Sequence, residues 1–229
     1  MYDLHIANKN YSSWSLRPWV LMRTLNIPFN ENLVPFNDPN PANEFTRFSP
    51  TGKVPCLTDG ETTIWDTLAI TEYLGESHDG VWAENKRARA WSRSAAAEMH
   101  SGFQTLRNLH PMSVGLRILP NTAPKSLEGD IARIDALWQQ GLDTFGGSFL
   151  AGEDFTAVDA FFCPVAFRFR TYDAKLSPAS EAYRDLLLGL PAMKEWEAAA
   201  LLEPWRDAEH EQEAAASGQI IEDLRGNAP

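Results

Sequence analysis

The sequence predicts a small α/β domain followed by an all-helical domain. The first eighty residues alternate strand-like and helix-like patterns in the order β-α-β-α-β-β-α. From residue 85 onwards the chain is rich in alanine and in helical spacing, with no strand pattern. Its 229 residues suffice for two modest domains, since one domain usually takes roughly 100 to 200 residues. We therefore place the domains at residues 1–80 and 85–229.

The first strand is predicted at residues 2–7, where apolar and polar residues alternate. A helix over about residues 15–25 follows, because apolar side chains recur there at helical spacing. Residues 32–36 can form a second strand. A loop at residues 37–41, rich in proline and asparagine, leads to a short helix around residues 43–48.

A tight hairpin is predicted next, with strands at residues 54–58 and 61–65. The dipeptide between them, Asp59-Gly60, favours a two-residue turn because both positions tolerate a positive φ. Asp66 is a good helix-start residue, so the following apolar pattern is read as a helix that closes at a glycine.

The second half contains five helical segments separated by proline and glycine. They cover roughly residues 86–109, 126–145, 156–171, 180–188 and 192–202. Thr156 and Asp159 form a capping box at the start of the third segment, a purely structural motif. The tail from Ala208 is acidic, and we expect it to be loosely held apart from Ile220, Ile221 and Leu224.

Composition excludes several classes of protein. Hydrophobic residues make up 44% and charged residues 22% of the chain, as in ordinary globular proteins. The 31 acidic residues against 20 basic ones give a net charge of -11, which repels phosphate backbones, so nucleic acid is not an expected partner. The longest apolar run, residues 160–167, is far shorter than the ~20 residues of a membrane-spanning helix, so no membrane partner is expected.

Location and metal binding follow from cysteine and histidine usage. Cys56 and Cys163 lie far apart and form no CxxC pair, and the first twenty residues lack the basic and apolar regions of a secretion signal. We therefore expect a cytoplasmic protein. The five histidines are scattered without metal-ligand spacing, so no metal site is predicted.

The turn before the first helix carries three serines in the segment Tyr11-Ser12-Ser13-Trp14-Ser15. One interpretation is that a serine simply caps the helix. The other is that a serine hydroxyl, aided by the helix dipole, donates a hydrogen bond to a ligand anion such as a thiolate. A thiol with a reference pKa of ~8.5 becomes mostly thiolate at pH 7 if its pKa falls by about two units.

Two later motifs also allow a structural and a functional interpretation. The Val54-Pro55 pair can mark an edge strand, because proline lacks the N–H that a central strand needs. Asp66 and Thr67 can serve as ordinary helix caps. Alternatively, Asp66 binds an ammonium while Thr67 and the helix amides bind a carboxylate, which would suit an amino-acid-like head group.

The sequence resembles the cytosolic glutathione transferase superfamily from residue 2 to about residue 205. The resemblance lies in four markers in order: Ser12, Gly52-Lys53-Val54-Pro55, Asp66-Thr67-x-Ala69-Ile70 and Thr156-x-x-Asp159. The serine-rich turn followed by Arg17 looks most like the serine-type zeta class and related bacterial enzymes. The resemblance implies a thioredoxin-like first domain ahead of the all-helical domain, glutathione as co-substrate, a role in detoxification, no metal, and a homodimer.

The resemblance also implies which residues contact glutathione. Ser12 would serve the thiol, with Ser13 as the alternative. Family members hold the proline of the second marker cis, so that the backbone of Val54 pairs with the cysteinyl part of glutathione. Asp66 would hold the γ-glutamyl end, and the positive charge that this anion needs would come partly from the lysine near its glycyl end. The glutathione-binding residues expected in this way are Ser12, Lys53, Val54, Pro55, Asp66 and Thr67.

The co-substrate pocket is expected between the first-helix turn, including Trp14, and the first long helix of the second domain. Met99, Phe103 and Arg107 follow i, i+4, i+8 spacing there and should share one helical face. Core packing is the alternative for the first two. Arg107 on that face leads us to expect a small hydrophobic electrophile that carries a negative group.

Three functions fit these residues. The first is a glutathione transferase in which a serine hydroxyl activates the thiolate for attack on a hydrophobic electrophile. The second is a glutathione-dependent cis-trans isomerase of a maleyl-type diacid, favoured by the serine run but disfavoured by Trp14, which stands where the zeta pattern has cysteine. The third is a non-catalytic binding or regulatory protein with the same fold.

Overall fold

The computed structural model describes residues 1–36, 38–40 and 44–226. The first part of the chain forms a four-stranded mixed sheet in the order β2-β1-β3-β4. Its strands are β1 (Tyr2–Ile6), β2 (Phe29–Leu33), β3 (Cys56–Asp59) and β4 (Thr62–Trp65), and its helices are α1 (Ser13–Thr24) and α2 (Thr67–Gly75). A 3-10 turn covers Phe45–Arg47 within the predicted short helix, whose start at Asn43 lies outside the described residues, as do positions 37 and 41 of the loop before it.

The second strand lies three residues earlier than the sequence predicts, at Phe29–Leu33 instead of residues 32–36. It runs parallel to β1, with Tyr2 opposite Phe29 and Ile6 opposite Leu33. Phe29 thereby reaches the core, while the rest of the strand is polar or only partly buried. The position of β2 is thus set by pairing with β1 rather than by its own weak pattern.

The predicted hairpin is present, but its turn lies one residue later. Asp59 pairs with Thr62, so the two-residue loop is Gly60 and Glu61, with Gly60 at a φ of 58°. A positive φ at this position suits glycine. The first strand of the hairpin starts at Cys56, beyond Pro55, whose nitrogen has no hydrogen to donate to the ladder.

The second part of the chain is helical, as predicted, with one exception described below. Its helices are α3 (Lys86–Ser101), α4 (Gln104–Leu109), α5 (Lys125–Phe145), α6 (Ala157–Thr171), α7 (Pro178–Gly189), α8 (Pro191–Leu202) and α9 (Ala208–Ser217). The predicted helix at residues 86–109 is two helices, because Gly102 is extended and Phe103 is left-handed with a φ of 58°. Met99, Phe103 and Arg107 therefore do not share one continuous helical face.

The exception is a two-stranded antiparallel ribbon, so the expectation that residues 85–229 form only helices is wrong. It pairs β5 (Leu116–Pro120) with β6 (Gly218–Asp223). Leu116 and Ile118 pack beneath it against Tyr172 and Ala214. The ribbon and α9 give residues 208–223 regular structure, so this part of the tail is not loosely held.

Helix α6 forms the centre of the molecule and is buried along almost its whole length, with Pro164 inside it. It packs against both α1 and α3 and so joins the two parts of the chain in one core. The predicted capping box at its start is confirmed, since Thr156 and Asp159 bond reciprocally. No helix among the described residues is long and apolar enough to cross a membrane.

Candidate active site

Ser12 lies at the end of the turn that joins β1 to α1. Its amide donates to the carbonyl of Asn8 at 2.9 Å, and its side chain makes no capping bond to the helix. The hydroxyl donates instead to Oγ of Ser15 at 2.7 Å. Ser12 is 5% exposed and lines a cavity of about 600 Å³, as does Ser13, whereas the fully buried Ser15 does not. Two of the three serines are therefore accessible to a ligand.

A buried carboxylate from the helical part holds this turn in place. Glu203 accepts hydrogen bonds from the backbone amides of Lys9 at 2.5 Å and Asn10 at 3.3 Å. The side chain of Asn10 donates to the carbonyl of Ala200 and to Glu203. Burial raises the pKa of Glu203, and the hydrogen bonds from Lys9 and Asn10 oppose that rise. Sequence reasoning missed Asn10 and Glu203, since nearly two hundred residues separate them.

A second cavity, of about 450 Å³, adjoins the first. Its lining consists of Trp14, Thr51, Lys53, Val54, Pro55, Trp65, Asp66, Thr67 and His100. Five of the six residues expected to bind glutathione are in this lining, and the sixth, Ser12, lines the larger cavity. Lys53 and Val54 line both cavities, and the Val54-Pro55 peptide bond is cis.

Asp66 occupies the start of α2 with a φ of 72°. Its Oδ1 caps the helix by accepting from the amides of Leu68 at 2.8 Å and Ala69 at 3.4 Å. Its Oδ2 lies 3.3 Å from Nε2 of His100, on α3. The hydroxyl of Thr67 donates to the carbonyl of Trp14 at 3.4 Å, linking the start of α2 to the serine turn. Asp66 is therefore a helix cap with a second oxygen at the cavity.

The larger cavity combines aromatic and cationic walls. Tyr11, Trp14, Phe36 and Phe45 provide aromatic surface. Of the residues expected to form the electrophile pocket, Trp14 and Arg107 line this cavity. The other two, Met99 and Phe103, belong to the hydrophobic core and are absent from the described lining. The helix is interrupted at Gly102 and Phe103, so Met99 and Arg107 lie on different helices.

Three arginines create a positive potential beside the cavity. Arg107 and Arg168 line it, and Arg17 is buried behind Trp14. Two guanidinium groups contact the Trp14 ring, with Cζ of Arg17 at 4.2 Å and Cζ of Arg107 at 4.7 Å from its centroid. Within the described ranges, no nitrogen of the Arg17 guanidinium has a hydrogen-bond partner. Burial, and then the charges of Arg107 and Arg168, lower the pKa of Arg17.

Arg168 was missed by sequence reasoning, although a charged residue within the apolar pattern of α6 was a usable signal. Its Nε donates to the carbonyl of His110 at 2.9 Å. Burial, followed by repulsion from Arg107, lowers the pKa of Arg168 to about 9, so it is still charged at neutral pH. The one acidic side chain in the described lining of this cavity is Glu213.

Residues from α9 complete the wall on the far side. His210 stacks on Tyr11 at 5.0 Å and on Phe36 at 4.8 Å between ring centroids. The Tyr11 hydroxyl donates to Glu211 at 2.6 Å. Burial and this hydrogen bond raise the pKa of Tyr11, so the phenol keeps its proton and donates it to Glu211 in a hydrogen bond. In the turn, serine hydroxyls are thus better placed than Tyr11 to donate to a ligand.

Comparisons with known proteins agree with this architecture. Residues 11–77 match the family model for the glutathione S-transferase N-terminal domain, and residues 94–199 match that for the glutathione S-transferase C-terminal domain. A glutathione transferase homologue from Burkholderia with bound glutathione superposes with a TM-score of 0.65 at 16% identity, covering 87% of this chain and 97% of that one. This likeness concerns the fold.

Curated relatives match either over a shorter part of the chain or at lower sequence identity. The zeta class glutathione S-transferase of Euphorbia esula is 29% identical over 124 residues, which is 53% of this chain and 55% of the relative. The dichloromethane dehalogenase of Methylorubrum extorquens is 41% identical over 62 residues, 26% of this chain and 22% of the relative. A probable maleylacetoacetate isomerase of Caenorhabditis elegans is 25% identical over 190 residues, 79% of this chain and 86% of the relative. The chain therefore spans only about half of the first of these proteins and a fifth of the second.

Proposed function

Because the chain belongs to the glutathione S-transferase family, we propose that it is an enzyme that activates the thiol of glutathione through a serine hydroxyl. The thiolate would attack a hydrophobic electrophile bound in the larger cavity. The observation that carries this proposal is the position of Ser12: it lines the larger cavity at the start of α1, and its hydroxyl makes no capping bond.

The smaller cavity suits glutathione along its length. Oδ2 of Asp66 is available for the γ-glutamyl ammonium, and Thr67 lies beside it. The backbone of Val54, next to the cis proline, would pair with the cysteinyl residue as an added strand does. Lys53 would face the glycyl carboxylate. These contacts would direct the cysteinyl sulfur towards the larger cavity, which Val54 also lines.

Three features around the proposed position of the sulfur favour the ionised thiol. Ser12 would turn its hydroxyl from Ser15 to the sulfur, with Ser13 as the alternative donor. The N-terminus of α1 adds its positive dipole end, and Arg107 and Arg168 add positive charge across the cavity. A thiol of ordinary pKa ~8.5 is only about 3% ionised at pH 7, so a fall of about two units multiplies the thiolate many-fold. The thiol proton passes to solvent, the sulfur bonds to the electrophilic carbon, and the electron pair leaves with the displaced group or stays on the acceptor.

The lining of the larger cavity defines the class of electrophile. Its aromatic side chains favour an apolar body. Arg107 and Arg168 repel one another and are opposed in the described lining by one acidic side chain, Glu213. A carboxylate or similar anion on the electrophile would relieve that repulsion, so we include a negative group in the proposed substrate.

Assembly, domain limits and location belong to the same proposal. A shallow apolar depression around Ile64, Trp65 and Leu68 runs along β4 and α2, and Trp65 is 44% exposed there, which supports a homodimer. We assign glutathione binding to residues 1–80 and completion of the electrophile site to residues 85–229. Cys56 and Cys163 are buried and unpaired, which supports a cytoplasmic location.

Glutathione-dependent isomerisation of a maleyl-type diacid is the second candidate. The probable maleylacetoacetate isomerase relative favours it, and the two arginines of the larger cavity suit a dianion. Trp14 narrows the space beside the presumed thiol. Product analysis with such a diacid separates the two reactions, because isomerisation returns glutathione unchanged whereas conjugation consumes it.

The central test replaces Ser12 with alanine and measures conjugation of a halogenated dinitrobenzene. Ser12→Ala should lower kcat/KM at least about tenfold and reduce the ultraviolet absorbance of enzyme-bound thiolate. Tyr11→Phe is the matched control and should change turnover less than about threefold, whereas Ser13→Ala tests the alternative donor. Unchanged turnover in folded Ser12→Ala refutes the role of Ser12. Absence of any calorimetric heat with glutathione would instead indicate the third function, a non-catalytic binding or regulatory protein.

A further inference from the structure

His100 occupies the junction between the two cavities and lines both of them. It lies on α3, in the helical part, and its Nε2 is 3.3 Å from Oδ2 of Asp66 at the start of α2. Its ring meets the Trp14 ring edge-on, with centroids 5.2 Å apart. One side chain thus contacts both the carboxylate proposed to bind the ammonium of glutathione and the aromatic wall shared by the two cavities.

The two oxygens of Asp66 have different surroundings. Oδ1 accepts hydrogen bonds from the amides of Leu68 and Ala69 and is committed to capping α2. Oδ2 is the oxygen that faces His100. An incoming ammonium would therefore bind to Oδ2, directly beside the imidazole.

The surroundings of His100 indicate which form of the imidazole is present. Nδ1 is buried and has no hydrogen-bond partner among the described residues. A buried N–H without an acceptor is costly, so the proton belongs on Nε2, facing the carboxylate of Asp66. A second proton would place an unpaired N–H at Nδ1 and a positive charge in an already cationic environment.

The charged groups around the imidazole come from three elements. Burial lowers the pKa of His100, Arg17 on α1 and Arg107 on α4 lower it further, and Asp66 opposes them. Helix α6 presents the uncharged Phe161, with ring centroids 6.3 Å apart, and Lys53 lines both cavities nearby. On α3 itself, Glu98 is already engaged by Arg133 at 2.7 Å. His100 is therefore neutral at pH 7.

We propose that His100 is a positioning residue for the γ-glutamyl end of glutathione, holding Oδ2 of Asp66 towards the ligand ammonium only while the imidazole is neutral. This inference rests on the proposed function, because it needs the ammonium to bind at Asp66. The neutral Nε2–H orients the carboxylate and leaves it a lone pair for the ammonium. A protonated His100 would occupy the same carboxylate with a competing cation.

Proton binding at His100 and ammonium binding at Asp66 therefore oppose one another. By linkage, a ligand whose binding weakens protonation of His100 must itself bind less tightly when His100 is protonated. Below the pKa of His100, the affinity should fall by up to about tenfold for each unit of pH. The ammonium of glutathione, with an α-amino pKa near or above about 8, stays protonated throughout this range and contributes no slope of its own.

The test measures binding of S-methylglutathione by calorimetry from about pH 5 to about pH 7.5, on the full chain. This ligand has no thiol, so ionisation of sulfur does not contribute to the pH profile. The wild-type dissociation constant should rise towards the acid end of the range, where His100 takes up its second proton. The desamino analogue of S-methylglutathione, which lacks the ammonium, should bind more weakly and with a flat profile.

Two variants of His100 and one matched control complete the design. His100→Gln keeps an N–H donor but does not titrate, so its affinity at pH 7 should stay within about threefold of wild type while the acid slope disappears. His100→Ala should weaken binding about tenfold at pH 7, because Asp66 loses its positioning partner. His78→Gln alters a histidine that bonds to Tyr2, outside both described linings, and should keep the wild-type slope.

Two results would count against the inference in different ways. If S-methylglutathione binds wild type but His100→Gln retains the full acid slope, the role of His100 is wrong while the proposed function stands. If S-methylglutathione produces no heat with wild type at any pH, both the proposed function and this inference are overturned.

Discussion

Glu203, just beyond the end of α8, accepts a hydrogen bond of 2.5 Å from the backbone amide of Lys9, in the turn that leads to Ser12. The same carboxylate accepts from the amide and side chain of Asn10. The serine turn is therefore fixed by a residue almost two hundred positions away in the chain. Its geometry depends on the helical part as much as on β1 and α1.

Replacing Glu203 by alanine should destabilise the protein by about 2 kcal/mol, because buried amides of the turn lose their acceptor. Glu203→Gln should cost less, since its carbonyl still accepts one hydrogen bond. Denaturant unfolding followed by tryptophan fluorescence measures both effects. An alanine variant as stable as wild type would show that the turn is held by other contacts.

Comparing wild type with Glu203→Gln also predicts how stability depends on pH. Burial raises the pKa of Glu203 in the folded protein above its unfolded value. At a pH between the folded and unfolded pKa values of Glu203, the folded state therefore binds more protons than the unfolded state. The stability that protonation of Glu203 contributes is complete below the unfolded pKa and is lost as pH rises through the folded pKa. Relative to Glu203→Gln, wild type should therefore be more stable near pH 4 than near pH 7. Unfolding curves of the two proteins across this range provide the check, and a difference that is constant or grows with pH contradicts it.

Arg168 should discriminate between anionic and neutral electrophiles. Arg168→Met removes one of the two arginines that line the larger cavity, and a lost charge-assisted contact costs about 1.5 to 3 kcal/mol, or at least about tenfold in KM. The measurement compares a chloronitrobenzoate with its uncharged amide. The KM of the acid should rise at least about tenfold relative to that of the amide.

The ratio of the two KM values cancels any general loss of fold in that variant. Arg133→Gln offers a control, because Arg133 forms an exposed ion pair with Glu98 away from both cavities. It should leave the ratio unchanged. An equal rise for acid and amide in Arg168→Met would mean that Arg168 only supports the carbonyl of His110.

Arg225 should hold the outer wall of the larger cavity in place. Its side chain is 4% exposed and pairs with both Glu211 and Asp223. Arg225→Ala should speed amide hydrogen exchange across residues 208–226 at least about tenfold, because α9 and β6 lose their shared ion pair. It should also raise KM for the electrophile while leaving glutathione affinity nearly unchanged.

Lys175→Ala is the matched control for Arg225, since it removes a fully exposed ion pair with Asp173. Such pairs contribute little to stability, so exchange in residues 208–226 should not change. If Arg225→Ala leaves exchange there at the wild-type rate, the pairing of β5 with β6 and the contacts of α9 with Tyr11 hold the wall without Arg225.

The sequence predicted the elements whose signals are local. Alternation marks β1, Asp66 marks the start of α2, and the reciprocal pair Thr156 and Asp159 marks the start of α6. The glutathione-transferase resemblance led to the cis Val54-Pro55 bond, which no spacing rule distinguishes from a trans one.

What the sequence did not predict depends on distant partners. The polar strand β2 is defined by its pairing with β1, and β5 is defined by β6 about a hundred residues later. The break at Phe103 separates two segments that each read as helix, so the spacing of Met99, Phe103 and Arg107 gave a face that does not exist. His100, Arg168 and His210 reach the cavities only because helices from separate regions converge there.

The two walls of the larger cavity are built in unlike ways, and this has an evolutionary consequence. The serine turn is tied into the common core through Glu203 and α6, so changes there endanger folding itself. The opposite wall belongs to α9 and is attached by one ribbon, by the side chain of Arg225 and by the contacts of Glu211 and His210 with Tyr11. Selection can therefore change the residues of α9 that do not contact Tyr11, and so admit new electrophiles, at little risk to the core or to the thiol chemistry.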